Sequence, residues 1–196
     1  MLKAYMEAGR LEAGCDEAGR GCLAGPVVAA AVILPRGYTN EALQDSKQLS
    51  ERRREQLRPI VEREALAWGV GEASVEEIDR LNILHASILA MHRAVAALST
   101  RPEFLLVDGN RFTAIAGLPH ATIVKGDATY MSIAAASILA KTHRDEVMRR
   151  LAAEFPGYGW DQNMGYPTKD HRRALAELGL TVHHRRSFGP CKELLK

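Results

Sequence analysis

Hydrophobic and polar positions alternate between two periods along this chain. Leu11 to Cys15 predicts a short strand that runs into the acidic pair Asp16-Glu17. Val27 to Leu34 is an unbroken apolar, β-branched-rich run closed by Pro35-Arg36-Gly37, the signature of a strand buried on both faces. Ser50 is placed to cap a charged helix through about Ala65, with Pro59 as a break or restart within it. Ala67 to Gly71 predicts a third strand, and Ser74-Val75-Glu76-Glu77 carries the capping-box pattern of a short helix. From Asn82, Ile83, Leu84, Ile88, Leu89, Met91, Val95 and Leu98 recur at helical spacing. Phe104 to Val107 and Ala121 to Val124 are two further strands. From about Tyr130 to Leu151 the pattern is helical, and its first half is apolar or small nearly all round, as in a helix packed closely on a sheet. Tyr158 to Pro167 reads as a loop, Thr168 to Leu178 as a helix, and the remainder as a basic segment. Strands early, helices between and after them, and acids at strand ends predict an α/β layered domain with a polar site at one sheet edge.

Composition bounds the function more than it names it. The 196 residues are 46% hydrophobic and 26% charged, as in ordinary soluble globular proteins. A net charge of +2 is too small to argue for nucleic acid by itself. Its distribution says more: Asp16, Glu17, Asp108 and Asp127 lie in apolar or Gly-rich surroundings, whereas bases cluster at Arg52-Arg53-Arg54, Arg172-Arg173 and His183-His184-Arg185-Arg186. That arrangement fits a polyanion held over a metal site. Three cysteines, Cys15, Cys22 and Cys191, with no CxxC pair, argue against zinc and for a reducing, cytoplasmic setting. The first residues lack a basic-then-apolar leader pattern, and the longest apolar stretch, Met131 to Ala140, is far short of the roughly 20 residues that span a bilayer.

Three separate places show an acid where a strand stops: Asp16-Glu17, Asp108 and Asp127. Carboxylates converging from strand ends suit a pair of Mg²⁺ ions about 4 Å apart, because Mg²⁺ takes a few carboxylates and completes its shell with water and substrate phosphate. Taken singly, Asp108 in Asp-Gly and Asp127 in Gly-Asp also read as turn residues; taken together, the three places favour a site. Neighbouring strand side chains point to opposite faces, so Asp16 and Glu17 share a site only at a frayed end or bulge, or if one contributes a backbone oxygen. Gly19-Arg20-Gly21 is either a turn with a solvated arginine or a backbone that approaches a ribose 2′-hydroxyl, the group that separates RNA from DNA. Lys47 and Lys125 are phosphate candidates or solvated lysines. Tyr166 either stacks on a sugar or base or packs under its loop. Arg185 and Arg186 either bind backbone phosphate or form an exposed basic tail. His143 and His171 read as structural or surface residues.

Read in order, these segments resemble the ribonuclease HII family. Asp16-Glu17-Ala18-Gly19-Arg20-Gly21 looks like its first motif, and Asp45-Ser46-Lys47-Gln48-Leu49-Ser50 like its Asp-Ser-Lys-Lys-Leu-Ser motif with Gln48 in place of the second lysine. Asn82 to Ala86, Val107-Asp108-Gly109-Asn110, Lys125-Gly126-Asp127, Ser132 to Lys141, Gly165-Tyr166-Pro167-Thr168 and His184 to Pro190 follow in order, so the resemblance runs from about Leu11 to Pro190. It implies one ribonuclease H-like domain over 1–196, with a mixed central sheet flanked by helices and a helical C-terminal extension from about 155 that binds substrate. It implies hydrolysis of the RNA strand of RNA/DNA hybrids, and incision 5′ to single ribonucleotides in duplex DNA, leaving 3′-hydroxyl and 5′-phosphate ends. Mg²⁺ or Mn²⁺ would sit on Asp16, Glu17, Asp108 and Asp127. Gly19, Arg20 and Gly21 would sense the ribose, Tyr166 the next deoxyribose, and Lys47 a phosphate. The implied enzyme is a monomer that acts in ribonucleotide excision repair. Two other readings remain at this point: a DNA nuclease or recombinase on the same fold, and a non-catalytic hybrid-binding protein.

Overall fold

The structure, a computed structural model, describes residues 2–43 and 49–195. Five strands form one mixed sheet: β1 (Glu12–Ala18), β2 (Val27–Ile33), β3 (Ala67–Ala73), β4 (Phe104–Asp108) and β5 (His120–Ile123). Their spatial order is β3-β2-β1-β4-β5. The pairs β1–β2 and β2–β3 are antiparallel, while β1–β4 and β4–β5 are parallel. The helices are α1 (Glu51–Glu64), α2 (Val75–Leu81), α3 (Ile83–Ala96), α4 (Met131–Glu154), α5 (Trp160–Asn163), α6 (Lys169–Leu178) and α7 (Gly189–Glu193). Single 3₁₀ turns lie at Glu41–Leu43 and Gly126–Ala128.

Both faces of the sheet are covered, which is why β2 reads as an unbroken apolar run and why all seven of its residues are buried. On one face, Ala13, Cys15, Ala29, Ala31 and Val107 pack on α3 through Ala86, Ala90, Met91 and Ala94. On the other, Ala30 and Val32 meet Leu57 and Val61 of α1 and Ala135, Ile138 and Leu139 of α4. The sheet meets the backbone of α4 most tightly at Gly14, where a Cβ would stand 2.2 Å from the Ser132 carbonyl carbon. That contact draws the first turns of α4 against β1, and with them Ser137 against the acidic pair.

The predicted elements form with shifted ends. The first strand extends past Cys15 and takes in both acids, because pairing with β2 continues through Asp16↔Ala30, Glu17↔Ala29 and Ala18↔Val28. Pro59 does not interrupt α1. Pro59 and Glu55, whose carbonyl loses its helical partner, both lie on the exposed side, where water can compensate. Ser50, Ser74, Asn82 and Thr168 each accept a backbone N–H at a helix start, as their positions predict. The stretch read as a loop from Tyr158 to Pro167 contains the short α5, whose Trp160 is fully buried among Tyr158, Met164, Met148 and Ala174. This small cluster seats α5 and α6 on the end of α4.

Candidate active site

The site begins where β1 outruns β4. Their parallel pairing runs to Cys15↔Val107, and one step further along that register sets Asp16 beside Asp108. Both acids follow positions, Gly14 and Leu106, that face α4. Glu17 points the other way along a regular strand, but β4 no longer flanks β1 at that level, and all three carboxylates line one cleft of 320 Å³. Ala18, Gly19, Arg20, Gly21, Arg54, Ser137, Lys141 and Tyr166 complete its walls. The conflict between strand alternation and a shared site is thus resolved by the end of a neighbouring strand, without a bulge.

Each acid is held in a distinct way. Asp16 is 4% exposed. Its Oδ1 accepts the Glu17 amide at 2.7 Å, and it hydrogen-bonds Ser137 of α4. Burial pushes its carboxyl well above the usual carboxylate range, and the charges of Glu17 and Asp108 add to that. Burial also raises Glu17, against the pull of Arg20, whose Nη1 lies 3.2 Å from Glu17 Oε1. Asp108 Oδ1 accepts the Gly126 amide at 2.6 Å, so the turn after β5 fixes the acid at the end of β4. Asp127, the next residue, is 2% exposed in that turn and is not among the residues lining the cleft.

The donor set suits a hard divalent cation. Three carboxylates brought together in a part-buried cleft repel one another, and a cation between them relieves that cost. Glu17 Oε2 is buried without a hydrogen-bond partner among the described residues, a state that a metal ion would satisfy. Among the described residues no three His, Cys, Asp or Glu groups form a ready-made ligand cluster. A hard cation held by a few of these carboxylates would complete its shell with water and substrate phosphate, as Mg²⁺ does.

The loop opposite the acids is bolted from behind by two arginines that sequence reasoning did not assign to it. Arg144 and Arg185 are both fully buried. Arg144 donates to the carbonyls of Pro26, Met164 and Ala24 at 3.0, 2.9 and 3.1 Å. Arg185 donates to those of Gly25, Arg20 and Pro26 at 3.0, 2.9 and 3.2 Å. Burial pushes Arg185 down to about 10, so it stays charged at neutral pH. With its surface gone and its donors on carbonyls, Arg185 shapes the loop and is not available to phosphate; this corrects the expectation from the basic cluster. Gly19 has φ +95°, and a Cβ there would sit 2.0 Å from Arg144 Nε. A Cβ on Gly21 would meet nothing within 4 Å. One glycine of the motif is thus demanded by the fold, while the other, on the cleft wall, has open space around it.

Tyr166 is 40% exposed on the cleft wall. Its carbonyl accepts from His171 Nδ1 at 2.9 Å. His171 Nε2 accepts the Trp160 indole N–H at 3.0 Å and faces His184 Nε2 at 3.3 Å, while His184 Nδ1 accepts the Thr181 amide at 3.0 Å. Both imidazoles are buried and neutral, and burial pushes His184 down to about 4. Lys125 and Arg186 are exposed. Lys47 lies outside the described residues. Arg54, noted only as part of a basic cluster, and Ser137 and Lys141, noted only within the Ser132 to Lys141 motif, line the cleft without having been given a role of their own. The last two sit four residues apart at the end of the mostly apolar first half of α4, and that spacing was the available signal.

The profile of the Ribonuclease HII family matches residues 13–191. A ribonuclease HII of Parabacteroides distasonis is 64% identical over 188 residues, 96% of this chain and 94% of its own. One from Porphyromonas gingivalis is 57% identical over the same shares. Among solved structures, the ribonuclease H2 of Pyrococcus horikoshii superposes with a TM-score of 0.82 at 25% identity, covering 93% of this chain and 96% of that one. The ribonuclease HII of Archaeoglobus fulgidus, solved in complex with PCNA, gives 0.71 at 27% identity, with 91% and 95% covered. With nearly its whole length matched and its sheet shared with these enzymes, the chain belongs to the ribonuclease HII family.

Proposed function

We propose that Asp16, Glu17, Asp108 and Asp127 hold Mg²⁺ or Mn²⁺ against the scissile phosphate, and that the opposite wall of the cleft chooses where the cut falls. As a family member the chain is an endoribonuclease that hydrolyses RNA in RNA/DNA hybrids. The observation that carries the site reading is the meeting of Asp16, Glu17 and Asp108 with Gly19–Gly21 and Tyr166 around one cleft. When bound, the divalent ions supply activation of water and stabilisation of charge on the departing 3′-oxygen. The protein's part is to hold the carboxylates in place: Ser137 and the Glu17 amide steady Asp16, the Gly126 amide steadies Asp108, and Arg20 orients Glu17.

Specificity is a joint reading. Gly21, with open space where a Cβ would be, admits the ribose to the backbone of Gly19–Gly21, where its 2′-hydroxyl is read. Tyr166 stacks on the deoxyribose that follows. The fixed charges of Arg144 and Arg185 behind the loop favour the phosphate in front of it. Incision 5′ to single ribonucleotides in DNA, leaving 3′-hydroxyl and 5′-phosphate ends, is the outcome that the family resemblance implies for this site. Residues from about 155 onward form the substrate-binding extension that carries Tyr166, with Lys47, Lys125 and Arg186 along the phosphate track. The protein works as a cytoplasmic monomer; among the described residues no helix is long and apolar enough to cross a membrane.

The test is a duplex carrying one ribonucleotide, treated with purified protein with and without Mg²⁺ or Mn²⁺, beside an all-DNA duplex of the same sequence. Metal-dependent incision only at the ribonucleotide is expected. Incision of the all-DNA duplex would favour a general DNA nuclease. Binding that weakens steeply with salt but never cuts would leave a hybrid-binding protein.

A further inference from the structure

His171 lies in the first turn of α6, is fully buried, and has no part in the chemistry above. Its ring accepts a hydrogen bond on one nitrogen and donates from the other. The Trp160 indole N–H can only donate, and it meets Nε2 at 3.0 Å. Nε2 is therefore the bare nitrogen of a neutral ring, and the proton sits on Nδ1, 2.9 Å from the Tyr166 carbonyl oxygen. His184 supports the same tautomer. Its Nδ1 accepts the Thr181 amide at 3.0 Å, which places its own proton on Nε2, 3.3 Å from His171 Nε2.

The Tyr166 turn is held on both sides of its Cα. Before the Cα, the Leu23 amide donates to the Gly165 carbonyl at 2.8 Å, and the Gly165 and Tyr166 amides donate to Asn163 Oδ1 and the Asn163 carbonyl, each at 2.8 Å. Beyond it, the Tyr166 carbonyl accepts the Thr168 amide at 2.8 Å and His171 Nδ1. Thr168 belongs to the same turn, and Pro167 has no N–H to give. The His171 bond ties the far side of Tyr166 to the buried rings of Trp160 and Tyr158. Two rigid peptide planes meet at each Cα and together set where its Cβ points. The turn also carries Met164 at φ +50°, a conformation that persists only where its surroundings over-determine it.

We propose that His171 is a positioning residue: by donating from Nδ1 to the Tyr166 carbonyl, it aims the Tyr166 ring at the deoxyribose that follows the ribonucleotide. This rests on the sensing role proposed for Tyr166. A ring aimed before substrate arrives avoids the ordering cost of stacking. The same link joins the two readers. His184 is bridged to Ala24 in the backbone, and Arg185 beside it donates to the Arg20 carbonyl at 2.9 Å. His171 thus supports the preference for a ribonucleotide followed by DNA over a continuous RNA strand, which presents no deoxyribose at that place.

The experiment measures kcat/KM on a duplex with one ribonucleotide and on a uniform RNA/DNA hybrid, takes the ratio, and records the urea midpoint of each protein. The proteins compared are the parent, H171N, H171Q and Y166A. An Asn amide reaches the place of Nδ1, and a Gln amide that of Nε2. H171N therefore keeps a donor for the Tyr166 carbonyl and leaves the Trp160 N–H without its acceptor, while H171Q does the reverse. H171N should lose stability yet hold the ratio within about twofold of the parent. H171Q should keep more of the stability and lower the ratio at least about fivefold, the size expected of one neutral hydrogen bond. Equal ratios in the two variants, or ratio losses that follow the losses in stability, would overturn the proposal, because a histidine that only supports the fold moves both readouts together. If either variant does not fold, NMR of the ring nitrogens in the parent decides: the proton is expected on His171 Nδ1, and a proton on Nε2 overturns the proposal. Y166A should lose the preference. If it does and H171Q keeps it, the proposal alone falls; an unchanged ratio in Y166A would overturn the sensing role of Tyr166 itself.

Discussion

Gly19→Ala and Gly21→Ala alter the same motif and should fail in different ways. At Gly19 the backbone has φ +95°, which costs a residue with a Cβ about 1–2 kcal/mol. The new methyl would also stand 2.0 Å from Arg144 Nε and 2.5 Å from its Cδ. Arg144 cannot swing aside, because it is fully buried and its Nε donates to the Pro26 carbonyl at 3.0 Å. Displacing it sacrifices at least one charged hydrogen bond, about 1.5–3 kcal/mol. The sum is about 3–5 kcal/mol, which in a chain of this size lowers Tm by roughly 10 °C. Gly21 has no such neighbours, so its Cβ should change stability by less than about 0.5 kcal/mol. That Cβ instead enters the space assigned to the ribose, and incision at a single ribonucleotide should drop at least about tenfold, the cost of roughly 1.4 kcal/mol of misfit. Urea unfolding and single-turnover incision on both variants make the comparison. A Gly19→Ala protein as stable as the parent, or a Gly21→Ala protein as active as the parent, would refute the division of labour within the loop.

The remaining predictions use other parts of the molecule. His184 is held down to about 4 by burial, against about 6.5 when unfolded. The unfolded chain therefore binds the extra proton first as pH falls, so stability is complete above pH 6.5 and drops by about 3 kcal/mol on the way to pH 4. NMR titration of the His184 ring checks this, and a midpoint near 6.5 would contradict it. Arg186 is exposed, and its amide is held by Asp79 Oδ2 at 3.0 Å. Arg186→Ala should therefore keep the fold and make the slope of log affinity against log salt shallower by about 0.9, the share of one neutralised phosphate. An unchanged slope would remove Arg186 from the phosphate track.

Elements were legible where one local signal decided them. The caps at Ser50, Ser74, Asn82 and Thr168 follow from side chains that reach their own helix starts. The two-sided burial of β2 follows from its unbroken apolar run. The family's motifs brought Asp16, Glu17, Asp108, Gly19–Gly21 and Tyr166 to notice, and the cleft gathers these residues. What stayed hidden depends on groups far apart in the chain. The end of β1 is set by β2 across a hairpin, so a strand read from its own residues stopped before the acids. Arg185 looks like tail charge in sequence, but its carbonyl partners lie about 160 residues away. His171 and His184 look ordinary alone and become a buried pair only when α6 and the C-terminal segment meet.

The central claim is that the carboxylates at the ends of β1 and β4 carry the hydrolysis, and D108N tests it most directly. The amide oxygen of the variant still accepts from the Gly126 N–H that Asp108 Oδ1 binds at 2.6 Å, so fold and substrate binding should persist. Only a charge in the cleft is removed, and several kcal/mol of transition-state stabilisation with it. Single-turnover incision of a one-ribonucleotide duplex in saturating Mg²⁺ should fall at least about 100-fold, with the unfolding midpoint unchanged or raised by relief of repulsion from Asp16. Undiminished incision by D108N would contradict the account.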